Sequence, residues 1–165
     1  MSETKVPEPG TLQKVIDGTE SLNAFFGFDQ TTLDALAALA FNLYGQGKIR
    51  DAETLFRGLV SLDSTQYYGW AGLGAVALAE ENADQAVPYL RKAIELNPND
   101  PTLHANLGEA LLRQANFQEA AKLFEKALDL DPEALDPGAN RARAILTGME
   151  ILVTEMQRIG NVPSA

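Results

Sequence analysis

Apolar and small residues recur through the middle of the chain with a period of 34 residues, marked by Ala52, Ala86 and Ala120. The positions in register are Leu39, Ala40, Ala52, Phe56, Leu59 and Leu62 in the first repeat; Leu73, Gly74, Ala86, Leu90, Ala93 and Leu96 in the second; and Leu107, Gly108, Ala120, Phe124, Ala127 and Leu130 in the third. The pattern continues without insertion from Leu33 to Ala134. A fixed period of this length is typical of proteins built from stacked pairs of helices.

Each repeat predicts two helices joined by a short turn. The turns are expected at residues 45–47, 81–83 and 114–116. Small residues at Ala40, Gly74 and Gly108 would let the first helix of each pair approach the second closely. Large apolar residues are expected to fill the space between successive hairpins, namely Leu39, Phe56, Leu73, Leu90, Leu107 and Phe124.

This pattern resembles the tetratricopeptide repeat. The sequence therefore predicts an all-α fold, an α-solenoid with three tetratricopeptide helical hairpins in residues 33–134. The repeats are expected at residues 33–66, 67–100 and 101–134, preceded by a disordered N-terminus at residues 1–10 and an N-terminal helical segment at residues 11–32, and followed by a C-terminal capping helix at residues 135–160. Because one hairpin cannot bury its apolar face alone, stacking of the three would supply the core.

The N-terminal segment has apolar residues at helical spacing and several aromatic residues close together. The candidates for contact with another surface are Leu22, Phe25, Phe26 and Phe28. One interpretation is a cap that packs on the first repeat. The other is a self-association element that forms a homodimer, because adjacent aromatic side chains are typical of interaction surfaces.

The last helix is expected to have Asp136 as its N-cap and Pro137 at its first position. An apolar stripe then follows the helix through Ala142, Ile145, Leu146, Met149, Leu152, Val153, Met156 and Ile159. A solenoid needs an end helix over its last hairpin, so capping is the favoured role. The stripe also has near-heptad spacing, although it is too short to predict a coiled coil. Residues 161–165 are expected to fray.

Composition narrows the classes of function. The net charge of −10 disfavours a nucleic-acid partner, because phosphate binding needs clustered Lys and Arg. No apolar run approaches the roughly 18 residues of a membrane-spanning helix, and we find no secretory signal. The chain has no cysteine, which is compatible with the cytosol. These features predict a cytoplasmic protein without membrane insertion.

The sequence offers little for catalysis or metal binding. His104, the single histidine, falls at an interior-type position of the third repeat, and the Cys and His clusters that bind zinc are missing. Gly69, Gly72 and Gly74 faintly resemble a phosphate-binding loop, yet they fall inside a predicted helix and do not follow a strand. We therefore predict no enzyme, no cofactor and no metal site.

In the tetratricopeptide architecture the first helix of each hairpin lines a concave groove, and helical phase gives the side chains that point into it. The predicted groove residues are Ala37, Phe41 and Tyr44 in the first repeat; Tyr68, Ala71, Ala75 and Leu78 in the second; and Ala105, Glu109, Leu112 and Arg113 in the third. Nearly all are apolar or aromatic, which favours an extended apolar peptide as ligand. The alternative is that Phe41 and Tyr44 only fill space against the N-terminal segment.

The first repeat carries a more specific pattern. Residues 39–48 read LAFNLYGQGK, residues 51–57 read DAETLFR, and residues 72–75 of the second repeat read GLGA. These motifs resemble the class II chaperones of bacterial type III secretion, which hold the two pore-forming translocator proteins before export. The resemblance implies that Phe41 and Tyr44 match aromatic groove positions of that family, and that Tyr68 is a weaker match.

The resemblance also implies a function. A bacterial cytoplasmic chaperone of this kind binds an extended segment of a hydrophobic secreted translocator, with proline and leucine side chains in the groove. Binding would keep the translocator soluble and competent for export without any nucleotide. The rival interpretation is a general tetratricopeptide scaffold that joins the folded components of a complex.

Overall fold

Helices follow the predicted period through the middle of the chain. The structure, a computed structural model, describes residues 10–160. Within that range the helices are α1 (Thr11–Ile16), α2 (Leu22–Phe26), α3 (Gln30–Gly45), α4 (Ile49–Leu62), α5 (Tyr67–Ala79), α6 (Ala83–Leu96), α7 (Pro101–Arg113), α8 (Phe117–Leu130) and α9 (Pro137–Gly160), and no strand occurs among the described residues. The predicted all-α fold is confirmed. The disorder expected in residues 1–9 and the fraying expected in residues 161–165 lie outside the described residues.

By its internal contacts the chain divides into two units, residues 1–97 and residues 98–165. The first unit contains α1 to α6. Here α3 packs on α4, α4 on α5 and α5 on α6, which gives two successive helical hairpins. The core of the first hairpin and of the helix that follows it consists of Leu33, Ala37, Ala40, Ala52, Phe56, Leu59, Leu73 and Val76.

Helix α5 approaches its neighbours at glycines. A Cβ atom at Gly72 would lie 2.2 Å from the ring of Phe56, and one at Gly74 would lie 2.5 Å from the side chain of Leu90. In the second unit, a Cβ atom at Gly108 of α7 would lie 2.6 Å from the ring of Phe124. The predicted role of Gly74 and Gly108 as close-approach positions is confirmed. The glycines that faintly resembled a phosphate loop are therefore packing positions within a helix.

The turns of the hairpins repeat one backbone conformation. Gly47, Glu81 and Ala115 stand 34 residues apart and have φ values of 75°, 59° and 60°. This left-handed region suits glycine, whereas Glu81 and Ala115 adopt it at some cost in strain. The turn geometry is thus imposed by the packing of the two helices rather than by the local residue.

The prediction that Leu39 fills space between hairpins is wrong, because Leu39 is 49 % exposed. Its equivalent in the second repeat, Leu73, is buried in the core shared with the first hairpin. Among the described residues no helix that precedes α3 packs on it, since α2 contacts α4 instead. The first repeat of the stack therefore leaves this position open.

The N-terminal segment forms two short helices. Helix α1 contacts α2, and α2 contacts α4 of the first hairpin. Leu22 and Phe25 are half-buried, while Phe26 and Phe28 remain exposed with their rings stacked 5.9 Å apart. The segment thus lies against the first repeat with part of its aromatic surface uncovered, and its role in self-association stays a prediction.

In the second unit α7 and α8 form a hairpin, and α9 packs on both. Asp136 caps α9 as predicted, because its carboxylate accepts a hydrogen bond of 2.8 Å from the backbone N–H of Ala139. The same carboxylate accepts one of 3.0 Å from the hydroxyl of Thr102 on α7. A Cβ atom at Gly138 would lie 2.7 Å from the Cα of Thr102, so the first turn of α9 touches the start of α7 directly. His104 is buried, as expected, with Nε2 2.8 Å from the carbonyl oxygen of Pro98.

Only the first half of α9 is covered. Ala139 and Ala142 are fully buried, and Ile145, Leu146 and Met149 are half-buried. The predicted stripe continues into residues that are all exposed, namely Leu152, Val153, Met156 and Ile159. The helix is longer than the hairpin face that it covers.

Asp100 caps α7 in a partly buried position, accepting a hydrogen bond from the backbone N–H of Leu103. Burial raises the pKa of this carboxyl above its ordinary value of about 3.8, and the nearby charge of Asp136 adds to the rise, while hydrogen bonds from the backbone of Leu103 and Thr102 oppose it. Between the ordinary and the raised pKa, the folded protein binds more protons than the unfolded chain. The free energy of unfolding therefore falls as pH rises through this interval.

Replacing Gly72 with alanine is expected to lower the free energy of unfolding by about 1–3 kcal/mol, because the added methyl group meets the buried Phe56 ring. Gly58 on α4 is the matched control, since a Cβ atom there has no neighbour within 4 Å. Gly58→Ala should raise the same quantity by about 0.5–1 kcal/mol. Urea titrations of both variants and the wild type measure the free energy of unfolding. Equal effects of the two substitutions would contradict the close approach of α5 to Phe56.

Replacing Asp100 with asparagine keeps a capping side chain and removes the partly buried charge. We expect Asp100→Asn to unfold at a higher urea concentration than the wild type at pH 7. The two proteins should converge at a pH below the ordinary pKa, where the wild-type carboxyl is also neutral. Urea titrations at several pH values check this, and a lower midpoint for the variant at pH 7 would refute it.

Candidate functional site

The first unit presents an aromatic face built from α3 and α5, which we define as Phe41, Tyr44, Tyr68 and Ala75. Phe41 is 38 % exposed, and its ring lies edge-on against the fully buried ring of Phe56 at 4.9 Å. Tyr44 and Tyr68 are half-buried against the same core. These side chains therefore combine a fixed position with surface that a ligand can still contact.

Tyr44 joins the two helices of this face. Its hydroxyl donates a hydrogen bond of 3.3 Å to the backbone carbonyl of Ala75 on α5, a residue 31 positions further along the chain. The phenol ring thereby has a polar partner for its hydroxyl, while one part of the ring remains accessible. Tyr68 is held differently, with its ring tilted against that of Tyr67 at a centroid distance of 4.1 Å.

Four predicted groove residues are not accessible, which corrects the prediction for those positions. Ala37, Ala71, Leu78 and Ala105 are each 7 % exposed or less. Ala37 belongs to the core of the first hairpin. Helix α5 is buried on every side from Ala71 to Gly74, and helix α7 is buried on every side from Leu103 to Gly108. In these stretches helical phase alone cannot distinguish a side that faces a ligand from a side that faces the core.

The remaining predicted residues in the second unit form a polar cluster instead of an apolar face. Glu109 accepts a hydrogen bond of 2.8 Å from Arg113, one helical turn later on α7. Arg141 of α9 lies 3.4 Å from the other carboxylate oxygen of Glu109, and it also donates to the side chain of Asn106. Leu112 is half-buried beside this cluster.

Arg141 and Asn106 were not among the predicted site residues. Asn106, Glu109 and Arg113 stand at positions i, i+3 and i+7 of one helix, a spacing that places polar residues on one side of α7. That spacing was a usable signal for Asn106. Nothing in the local sequence of α9 indicates that Arg141 reaches the same carboxylate.

The described residues also limit the chemistry. Between Gly10 and Gly160, no group of three or more His, Asp or Glu side chains is placed to hold a metal ion. In the same range, no helix has both the length and the apolar character needed to cross a lipid bilayer. What the aromatic face offers is apolar contact with a small number of polar atoms, which suits a peptide.

Comparison with known proteins identifies the repeat. A family model of the tetratricopeptide repeat matches residues 37–101 and residues 72–140. No curated protein sequence matches the chain.

Several solved structures share this fold. The type III secretion chaperone SycD of Yersinia enterocolitica, bound to a peptide of the translocator YopD, is 28 % identical with a TM-score of 0.63 over 74 % of this chain and 95 % of that chain. A type III secretion complex from Aeromonas hydrophila is 27 % identical with a TM-score of 0.70 over 91 % and 99 %. PcrH from Pseudomonas aeruginosa is 30 % identical with a TM-score of 0.63 over 73 % and 93 %. PcrH has also been solved with the chaperone-binding regions of PopB and PopD.

These similarities confirm the predicted resemblance to the translocator chaperones of type III secretion. The family model covers most of the chain, and the matched residues include all or part of each helix from α3 to α8. The chain belongs to the tetratricopeptide repeat family.

Proposed function

We propose that this protein is a bacterial cytoplasmic chaperone of type III secretion that binds an extended apolar segment of a hydrophobic translocator protein. The observation that carries the proposal is the likeness to SycD and PcrH, which have been solved with segments of the translocators YopD, PopB and PopD. These likenesses cover 72–76 % of this chain at 28–29 % identity.

The aromatic face of the first unit supports the same ligand class. Core contacts and one hydrogen bond fix Phe41, Tyr44 and Tyr68. These side chains therefore lose little conformational entropy when a ligand binds. An apolar ligand side chain that is fully buried there gains roughly 1.5–3 kcal/mol. Three such anchors contribute roughly 4.5–9 kcal/mol before the entropic cost of association, so micromolar binding, at about 8 kcal/mol, also needs further contacts along the bound segment.

The mechanism in this proposal is binding without catalysis. Occupancy of the aromatic face removes apolar residues of the translocator from water, and this prevents their aggregation or premature insertion. An extended ligand has to be unfolded over the bound segment, which keeps it in a state compatible with export. No nucleotide or metal takes part.

The direct experiment is calorimetric titration with two peptides. One carries spaced proline and leucine residues in an extended sequence, and the other is an acidic peptide of equal length without large apolar residues. We expect micromolar affinity for the first peptide and no measurable binding of the second. Binding of the acidic peptide alone, or of neither peptide, would favour a general tetratricopeptide scaffold.

Tyr44→Ala is expected to weaken binding of the apolar peptide by about 1 kcal/mol or more, which is roughly fivefold in Kd. The reason is loss of the ring from the aromatic face. Tyr44→Phe is the matched control, because it keeps the ring and removes only the hydrogen bond to Ala75. Circular dichroism on each variant separates loss of affinity from loss of fold. If both folded variants bind as the wild type does, Tyr44 is not part of the site.

A further inference from the structure

The second unit holds one guanidinium group in a fixed position and leaves some of its donors without an acceptor. Nε of Arg141 lies 3.4 Å from a carboxylate oxygen of Glu109, and Nη2 donates a hydrogen bond to Oδ1 of Asn106. Nη1 has no hydrogen-bond partner among the described residues, and Nη2 has one acceptor there for its two N–H groups. Because the side chain of Arg141 is 46 % exposed, these N–H groups can meet an acceptor from another molecule.

Asn106 adds a further donor at the same place. The residue is only 8 % exposed, and its Oδ1 is fixed by the hydrogen bond from Arg141. Nδ2 of the same amide has no hydrogen-bond partner in the part of the chain that the structure describes, although a polar group in a largely buried side chain normally has one. Since Oδ1 and Nδ2 are bonded to one carbon atom, Nδ2 stands close to Nη2 of Arg141. One ligand group with two acceptor oxygens can therefore reach both residues.

The cluster around Glu109 has an excess of positive charge. Arg113 donates to one oxygen of this carboxylate at 2.8 Å, and Arg141 lies beside the other. Two positive groups and one negative group give a sum of +1, whereas the whole chain has a net charge of −10. One carboxylate from a ligand brings the sum of the cluster to zero, while a polyanion is repelled by the rest of the chain. A carboxylate also matches the planar fork of an arginine.

We propose that Arg141 and Asn106 bind the carboxylate of an aspartate or glutamate side chain in the translocator segment that the protein holds. The identity of the ligand rests on the proposed function, and the carboxylate site itself does not. Arg141 donates from Nη1 and Nη2, and Asn106 donates from Nδ2. Glu109 is a positioning residue, because it holds both guanidinium groups on α7 without meeting the ligand. The preferred ligand is then an apolar segment that also carries an acidic residue.

The rival role of this cluster is purely structural. The contacts of Arg141 with Glu109 and Asn106 tie α9 to α7, and such a tie needs no ligand. A tie of this kind does not distinguish an acidic ligand from its amide. The discriminating experiment therefore compares glutamate with glutamine.

NMR of the full chain labelled with ¹⁵N tests the site directly. The probes are two short peptides of serine around a single glutamate or a single glutamine, acetylated and amidated so that no terminal carboxylate is present. A partly exposed ion pair is weak by itself, so each peptide is added to a concentration on the order of tens of millimolar at constant ionic strength. We expect the glutamate peptide to shift the side-chain signals of Arg141 Nε–H and Asn106 Nδ2, and the glutamine peptide to shift neither.

Three variants separate the site from general charge effects. Arg141→Gln removes the main donor and should abolish the response of Asn106. Asn106→Asp keeps an acceptor for Arg141, so the tie of α9 to α7 remains, but the added negative charge should abolish the response of Arg141. Arg143→Gln is the matched control, because it removes the same charge from α9 at a side chain that donates to Asn140 of its own helix. This variant should respond as the wild type does.

Four results overturn the carboxylate site. They are no shift at Arg141 or Asn106 in the wild type, equal shifts with the glutamate and glutamine peptides, an unchanged response in Asn106→Asp, and loss of the response in Arg143→Gln.

A calorimetric titration tests whether the carboxylate belongs to the same ligand as the apolar residues. The peptide with spaced proline and leucine is extended by flexible linkers of several lengths, each ending in an amidated glutamate or glutamine. At one linker length or more, the glutamate form should bind about three- to tenfold more tightly, and Arg141→Gln should remove this gain.

An equal affinity of the glutamate and glutamine forms at every linker length overturns the assignment of the carboxylate to this ligand. A different failure identifies an error in the proposed function. If no form of the apolar peptide binds, while the short glutamate peptide still shifts Arg141 and Asn106, the proposed function and the ligand identity are wrong and the carboxylate site is confirmed.

Discussion

The contact between Phe56 and Gly72 is the constraint on which the first unit depends. The ring of Phe56 is fully buried, and it occupies the space that a side chain at position 72 would fill. Because this contact sets the distance between α4 and α5, it also sets the place of the second hairpin relative to the first. The ring of Phe56 also lies edge-on against Phe41, at a centroid distance of 4.9 Å. The packing of the core therefore also fixes the position of the aromatic face. Because protein interiors are closely packed, a shift of Phe56 would also displace Phe41.

This arrangement gives the protein a fixed apolar surface on α3 and α5. Tyr44 holds α3 to the backbone of α5 through its hydrogen bond to the carbonyl of Ala75. The binding energy of such a face comes from apolar surface removed from water, which fits a ligand defined by apolar side chains rather than by charge. The polar cluster around Glu109 in the second unit has a different character, with two arginines on one carboxylate.

The fold was largely predictable because the 34-residue period fixes helix order, turn positions and the small residues at helix contacts. Gly74 and Gly108 have the predicted role, since only a residue without a side chain fits against Leu90 and Phe124. The errors have a common cause. Periodicity assigns each position a standard environment, whereas Leu39 stands at the open start of the stack and α5 is apolar on all sides. The contact of Arg141 with Glu109 joins residues 32 positions apart on different helices, and no local pattern encodes it.

On the proposed function, an extended apolar segment binds on the aromatic face of α3 and α5. Amide chemical-shift mapping of the labelled protein, titrated with a proline- and leucine-bearing peptide, tests this directly. The largest changes are expected between Phe41 and Tyr44 and between Tyr68 and Ala75, and the exposed half of α9 should be unaffected. Changes confined to α9, or to the outward sides of α4 and α6, would contradict it.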